Sequence, residues 1–106
     1  MSGPVSAPLD VVATIEVRPG RADAVVEIVT QHLETIRAEE GCLRYDLYRV
    51  RRDDDTLVMV EQWATKDALR AHGEADHFRA MSAQLAGELA AAPVVRVLEP
   101  AVRFAT

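Results

Sequence analysis

The apolar positions along this chain change period several times, and each change marks an element. Over LDVVATIEVR, residues 9–18, Val11, Ala13, Ile15 and Val17 alternate with Val12, Thr14 and Glu16. That two-residue period predicts a strand with two distinct faces. Pro19 and Gly20 interrupt it, and the period then lengthens. From Arg21 to Glu39, the residues Val25, Ile28, Val29, Leu33 and Ile36 recur at three- and four-residue steps, laying one apolar stripe along a helix. Valine and isoleucine are weak helix formers, so this helix depends on packing. Gly41 is placed to end it, because glycine takes a left-handed backbone without a Cβ clash.

Alternation returns in CLRYDLYRV, residues 42–50. Leu43, Tyr45 and Leu47 share one face, and Cys42, Tyr48 and Val50 lie on the other with Arg44 and Asp46 between them. The charged RRDDD at 51–55 reads as a solvated turn. TLVMVEQW, residues 56–63, pairs back as a hairpin, with Leu57, Met59, Glu61 and Trp63 on one face and Val58, Val60 and Gln62 on the other. Thr65 is set to cap a helix that runs to about Ala71, breaks or bends near Gly73 and resumes to about Leu89. Pro93 precedes a last strand, VVRVLEP at 94–100, which VRF extends. Strand, helix, strand, strand, helix, strand is the ferredoxin-like βαββαβ order of an α+β domain, an antiparallel sheet with helices on one face. The apolar side chains of the uncovered face need cover. A homodimer formed sheet to sheet, a dimeric α/β barrel, is the expected solution. Residues 1–8 read as a flexible extension and 9–106 as a single domain.

Composition narrows the function. With 106 residues, 49% of them hydrophobic, the chain can build one small core. A net charge of −5 argues against a nucleic-acid surface and against attraction to anionic membrane. The single cysteine, Cys42, excludes an intrachain disulfide and a multi-cysteine metal cluster. The start has no signal-like pattern and no apolar stretch approaches membrane-spanning length, so a reducing cytoplasm is the expected setting.

Candidate chemistry centres on EQWATKDALRAHGEADHF, residues 61–78. His72 and His77 are five apart. On one straight helix that step turns about 140°, so they do not form the four-step histidine pair of a zinc helix, and no metal is expected. Cys42 has no sequence-local histidine to activate it and reads as a small buried hydrophobe. No glycine-rich phosphate loop joins a strand to a helix, so no nucleotide or flavin site is expected. Trp63 either fills the core or lines a pocket for a planar aromatic ligand. His77, beside Phe78 and near Met81, is either a base at the margin of a concave site or an exposed helix residue. His72, three past Leu69, is the second candidate for proton transfer. His32 has no motif around it and reads as a surface residue. Tyr45 and Tyr48 point to opposite faces, so one at most enters a given pocket.

The runs EEGCLRYDLYR, VEQWATKDALRAH and HF, in that order over about residues 9–100, resemble the antibiotic biosynthesis monooxygenase family, including its small quinol monooxygenases. The resemblance implies a dimeric ferredoxin-like protein. Several members oxygenate phenols, anthrones or quinols without flavin, haem or metal, so no cofactor is implied; the substrates implied are a small quinol-like or polyketide-type aromatic and O₂. The resemblance makes Trp63 a pocket residue and His77 a pocket residue or base, with His72 as the alternative. Tyr45, Met59, Phe78 and Met81 complete the implied substrate wall. Some oxygenating members carry asparagine four residues before the tryptophan, where this chain has Met59, which lacks the amide hydrogen bond. Haem-degrading relatives carry an asparagine on the first strand, where the nearest match is Ala13. The family also includes isomerase-like enzymes acting on small oxygenated signals and members without demonstrated chemistry. Those leave an isomerase or degrading enzyme, and a dimeric binding or accessory protein, as alternatives.

Overall fold

The computed structural model describes residues 8–102. Seven elements follow one another: β1 (Leu9–Glu16), α1 (Ala22–Arg37), β2 (Cys42–Val50), β3 (Asp53–Trp63), α2 (Lys66–Glu74), α3 (Asp76–Ala86) and β4 (Val94–Leu98). The sheet order is β2-β3-β1-β4, with every neighbouring pair antiparallel. This is the ferredoxin-like arrangement, and within one chain the sheet is open. The expected extension at 1–8 falls almost wholly outside the described residues.

The strand alternation decides which face meets the helices. Val11, Ala13, Ile15 and Val17 are buried, as are Leu57, Met59, Glu61 and Trp63 on β3. The register joins them, with Val11 opposite Glu61 and Ala13 opposite Met59. The stripe of α1 lies against them, and Val25, Val29 and Ile36 are almost fully buried. Sinking a side chain of this size stabilises the fold by about 1.5–3 kcal/mol, which offsets the weak helix propensity of the stripe.

Several boundaries differ from the sequence expectation. On β2 a register shift between Cys42 and Arg44 interrupts the parity. Leu43 is thereby 55% exposed, while Cys42 packs against the core. Tyr45 and Leu47 keep their expected face, opposite Glu61 and Met59. The RRDDD segment is not all turn. Only Arg51 and Arg52 reverse the chain, Arg52 with φ 67°, and β3 starts at Asp53. The side chain of Asp53 anchors that start, accepting from the Asp55 N–H at 3.1 Å and the Thr56 hydroxyl at 2.8 Å.

The second helical stretch is two helices, and the break expected near Gly73 falls two residues after it, with Gly73 itself inside α2. It falls at Ala75, whose φ of −68° and ψ of 140° are extended. The Ala75 N–H closes α2 on the His72 carbonyl at 3.2 Å, and its carbonyl accepts from Phe78 and Arg79 to open α3. Thr65 caps α2 as expected, accepting from the Ala68 N–H at 3.0 Å. Helix α3 stops at Ala86, short of Leu89. Strand β4 ends at Leu98, and residues 99–102 do not continue it, while the remainder of the VRF extension lies outside the described residues. All of β4 is exposed, because the helix layer does not reach it.

Candidate active site

Between the sheet and the α2–α3 pair lies a cavity of ≈ 380 Å³. Its floor is apolar: Val11, Ala13 and Ile15 from β1 and Met59 from β3. Leu69, Phe78, Met81 and Leu85 wall it from the helices, and Pro93 and Val95 stand at the β4 side. Few polar groups enter it: Tyr45, Glu61, His72 and Ser82. A largely apolar cleft with a few polar groups is the usual form of a small-molecule site.

The polar end is built by a chain of contacts. His72 Nδ1 lies 2.9 Å from Glu39 Oε2, and His77 Nε2 lies 2.9 Å from that same oxygen. Glu39 sits in the short connection after α1, where its N–H donates to the Ile36 carbonyl and its carbonyl accepts from the Cys42 N–H. The carboxylate therefore has a fixed origin. The break at Ala75 explains the convergence: the end of α2 presents His72 and the first turn of α3 presents His77 to one acceptor.

His72 is surrounded by rings. Phe78 is 4.5 Å away, Trp63 4.6 Å with a tilt of 32°, and Tyr45 5.4 Å edge-on. This cage sets the imidazole plane, and a carboxylate on Nδ1 holds the neutral ring in the Nδ1–H tautomer. Nε2 then carries the lone pair, and among the described residues it has no protein partner. It is the nitrogen available to a ligand.

Within this cage, Trp63 is completely buried and donates its indole N–H to Glu61 Oε1 at 2.9 Å. Burial pushes the Glu61 carboxyl above the usual carboxylate range; the Trp63 bond and His72 pull it down, and Glu39 adds an upward push. Burial also drives the Tyr45 hydroxyl well above its ordinary range, assisted by the charges of Glu61 and Glu39. The Cys42 thiol is raised by burial and then by Glu39 and Glu61, which makes its thiolate, the nucleophilic form, less accessible.

Of the residues singled out from sequence, His72, Tyr45, Met59, Phe78 and Met81 line the cavity together. Trp63 stands behind His72, and His77 stands beyond Glu39; neither lines the cavity wall. His32 makes a 2.7 Å contact with Gln84 of α3, away from the site. Ala13 and Met59 are cross-strand partners on the cavity floor. Both positions matched to family asparagines therefore present apolar surface here. Sequence reasoning gave no role to Glu39, although it opens the EEGC run that carries the resemblance. It also gave Glu61 no role, although a charged residue in phase with Leu57, Met59 and Trp63 was a readable signal. Among the described residues, no group of three or more His, Cys, Asp or Glu is disposed to hold a metal ion. None of the helices is long and apolar enough to cross a membrane, again among the described residues.

The fold and this cavity place the chain among the ferredoxin-like α+β proteins with a pocket under the helices. It belongs to the antibiotic biosynthesis monooxygenase family, which matches residues 8–84. Rv0793 of Mycobacterium tuberculosis is 35% identical over 97 residues, covering 91% of this chain and 94% of its own. The Escherichia coli protein named "Probable quinol monooxygenase YgiN" is 30% identical over 104 residues, covering 89% of this chain and 99% of its own. The crystal structure of PA3566 from Pseudomonas aeruginosa superposes with a TM-score of 0.83 at 34% identity, covering 94% of this chain and all, 100%, of that one. This membership supports a monooxygenase-like function.

Proposed function

We propose that this protein is a cofactor-independent monooxygenase acting on a small quinol, phenol or polyketide-type aromatic. The observation that carries the reading is His72, a caged imidazole on the wall of an apolar cavity with Glu39 on its Nδ1. An aromatic ring rests on the Met59 and Ala13 floor, between Phe78 and Met81. Its phenolic O–H meets His72 Nε2, which takes the proton as a general base. The phenolate passes an electron to O₂, and the two radicals combine as a peroxide on the ring carbon. His72 returns its proton to the peroxide anion, and loss of water, with the hydrogen of that ring carbon, leaves a carbonyl. One oxygen atom enters the substrate, the other leaves as water, and the substrate supplies all the electrons. The protein contributes proton removal, orientation and exclusion of water.

The test is oxygen uptake by purified, metal-free protein against a panel of hydroquinones and anthrones, with His72→Asn alongside. Uptake above the uncatalysed rate is expected, falling by about 10²–10⁴-fold in the variant. Uptake no faster than in protein-free buffer with every substrate refutes the reading. An unchanged rate in the variant removes His72 as the base.

The apolar floor at Met59 and Ala13 supports a second reading, an isomerase or degrading enzyme using the same cavity. Product that accumulates equally well under anaerobic conditions would select it. We also propose that a second copy packs on the open sheet face. Val12, Val58 and Val60 are only half-buried there, and Val94 and Leu98 of β4, in phase with Val12, are 54% and 41% exposed. Sedimentation of a monomer at micromolar concentration would refute the dimer.

A further inference from the structure

The Glu39 cluster contains more than a single base needs. His72 would be oriented by any acceptor on Nδ1, yet the carboxylate oxygen that orients it also receives His77. The environments of the three groups differ in one direction. The side chain of His72 is 4% exposed, that of Glu39 13% and that of His77 30%. The three therefore run from the cavity wall to solvent. Both ring nitrogens contact one oxygen at 2.9 Å, so they lie within about 6 Å of each other, where like charges interact strongly. One carboxylate neutralises one imidazolium. Two imidazoliums at this carboxylate would repel across a site that is mostly out of water.

We propose that Glu39 couples His72 and His77 into one unit that carries a single positive charge, so that a proton taken up at His72 is matched by one released from His77. In the resting state His77 carries that charge, and His72 is neutral with its proton on Nδ1. When a phenolic ligand enters, its O–H bond breaks and an N–H bond forms at His72 Nε2. The Nδ1–H bond of His77 breaks, and that proton passes to water at the surface. Glu39 stays ionised throughout, no electron moves, and the net charge of the unit is unchanged. The substrate's proton equivalent thus reaches solvent without opening the cavity. Glu39 and His77 are positioning residues, since each acts through His72. The titratable groups facing the unit are Tyr45 and Cys42 of β2 and Glu61 of β3; of these, Glu61 acts directly on His72. Arg37, at the end of α1, is occupied by Asp46 and the Tyr45 carbonyl.

The coupling rests on the reading of this cavity as a site of proton removal, but its test needs neither substrate nor turnover. The full chain, labelled with ¹⁵N-histidine, is titrated by NMR, and the ring nitrogen shifts report tautomer and ionisation. Neutral His72 is expected to hold its proton on Nδ1. Both rings are expected to titrate as a pair, each curve showing two steps at shared midpoints. His77→Gln keeps a donor for Glu39 and should reduce the His72 curve to one step. Glu39→Gln should remove the coupling and the Nδ1–H preference together. The proposal is overturned by a proton on Nε2 of neutral His72, or by a single-step His72 curve that superimposes on that of His77→Gln. His77→Asn is a second variant, and the wild-type curves decide the matter if neither variant folds. Absent oxygen uptake would sink the oxygenase reading and leave coupled curves standing; superimposed curves would sink the coupling and leave turnover standing.

Discussion

Replacing Gly41 by alanine tests how the Glu39 connection is held against α2. Gly41 has φ 80°, and a Cβ built there would lie 2.5 Å from the Cβ of Ala68. Ordinary carbon–carbon contact is about 3.5–4.0 Å, so one side must retreat by roughly 1 Å. Neither side yields easily. The Gly41 carbonyl accepts from the Ala64 N–H at 2.8 Å, and Ala68 lies in the turn of α2 that Thr65 caps. The left-handed backbone costs an alanine about 1–2 kcal/mol, and overpacking adds about 1–3 kcal/mol. Gly41→Ala should therefore destabilise the fold by about 2–5 kcal/mol. Gly20 is the internal control, because its φ is 78° but nothing lies within 4 Å of its would-be Cβ. Gly20→Ala should cost only the backbone component, about 1–2 kcal/mol. Urea denaturation of both variants measures the two values at once. If they agree within about 0.5 kcal/mol, the close approach to Ala68 contributes nothing and the packing argument is wrong. A loss below that for both would remove the backbone argument too. Because Ala68 and His72 share α2, the shift should also weaken the His72–Glu39 contact, visible as a changed His72 ring signal.

Three other outcomes follow from particular residues. Burial raises the Glu61 carboxyl pKa in the folded state, so its contribution to stability is fully present at pH values below the ordinary carboxylate pKa of about 4.3 and is lost as pH rises through the folded value. Glu61→Gln keeps an acceptor for Trp63, and its stability relative to wild type should grow between about pH 4 and pH 7; a constant difference by thermal melting would contradict the assignment. Thr65→Ala removes the N-cap of α2 and should cost about 1 kcal/mol in denaturant titration, with no loss counting against it. Arg52 bears the left-handed backbone of the β2–β3 turn, so Arg52→Gly should stabilise by roughly 1 kcal/mol; a loss of stability would show that the side chain matters more than the backbone.

Much of the fold was legible because burial imposes a period that sequence records. The parity of Val11, Ala13, Ile15 and Val17, and that of Leu57, Met59, Glu61 and Trp63, predicted the buried face of two strands correctly. Parity failed where a register irregularity broke it, at Cys42–Arg44, since a bulge is a property of two paired strands. The break in the second helical stretch was expected near Gly73 and falls two residues further on. Gly73 is the weaker helix former, yet the chain breaks at Ala75, which serves as C-cap of α2 and N-cap of α3.

The site divides along the same line. The residue types and order of EEGC, EQW and HF, read from sequence alone, determined the family; of the site residues brought forward with them, Tyr45, Met59, Phe78, Met81 and His72 line the cavity, and Trp63 and His77 do not. On a straight helix the two histidines would stand about 140° apart, and the interruption expected near Gly73 left their relative direction open. Only the tertiary structure decided that α2 and α3 meet at Ala75, and that Glu39, 33 residues before His72 and 38 before His77, receives both rings on one oxygen. Periodicity reports the face a residue occupies on its own element. Which side chains share a partner depends on how elements cross, and that is set by packing between segments distant along the chain.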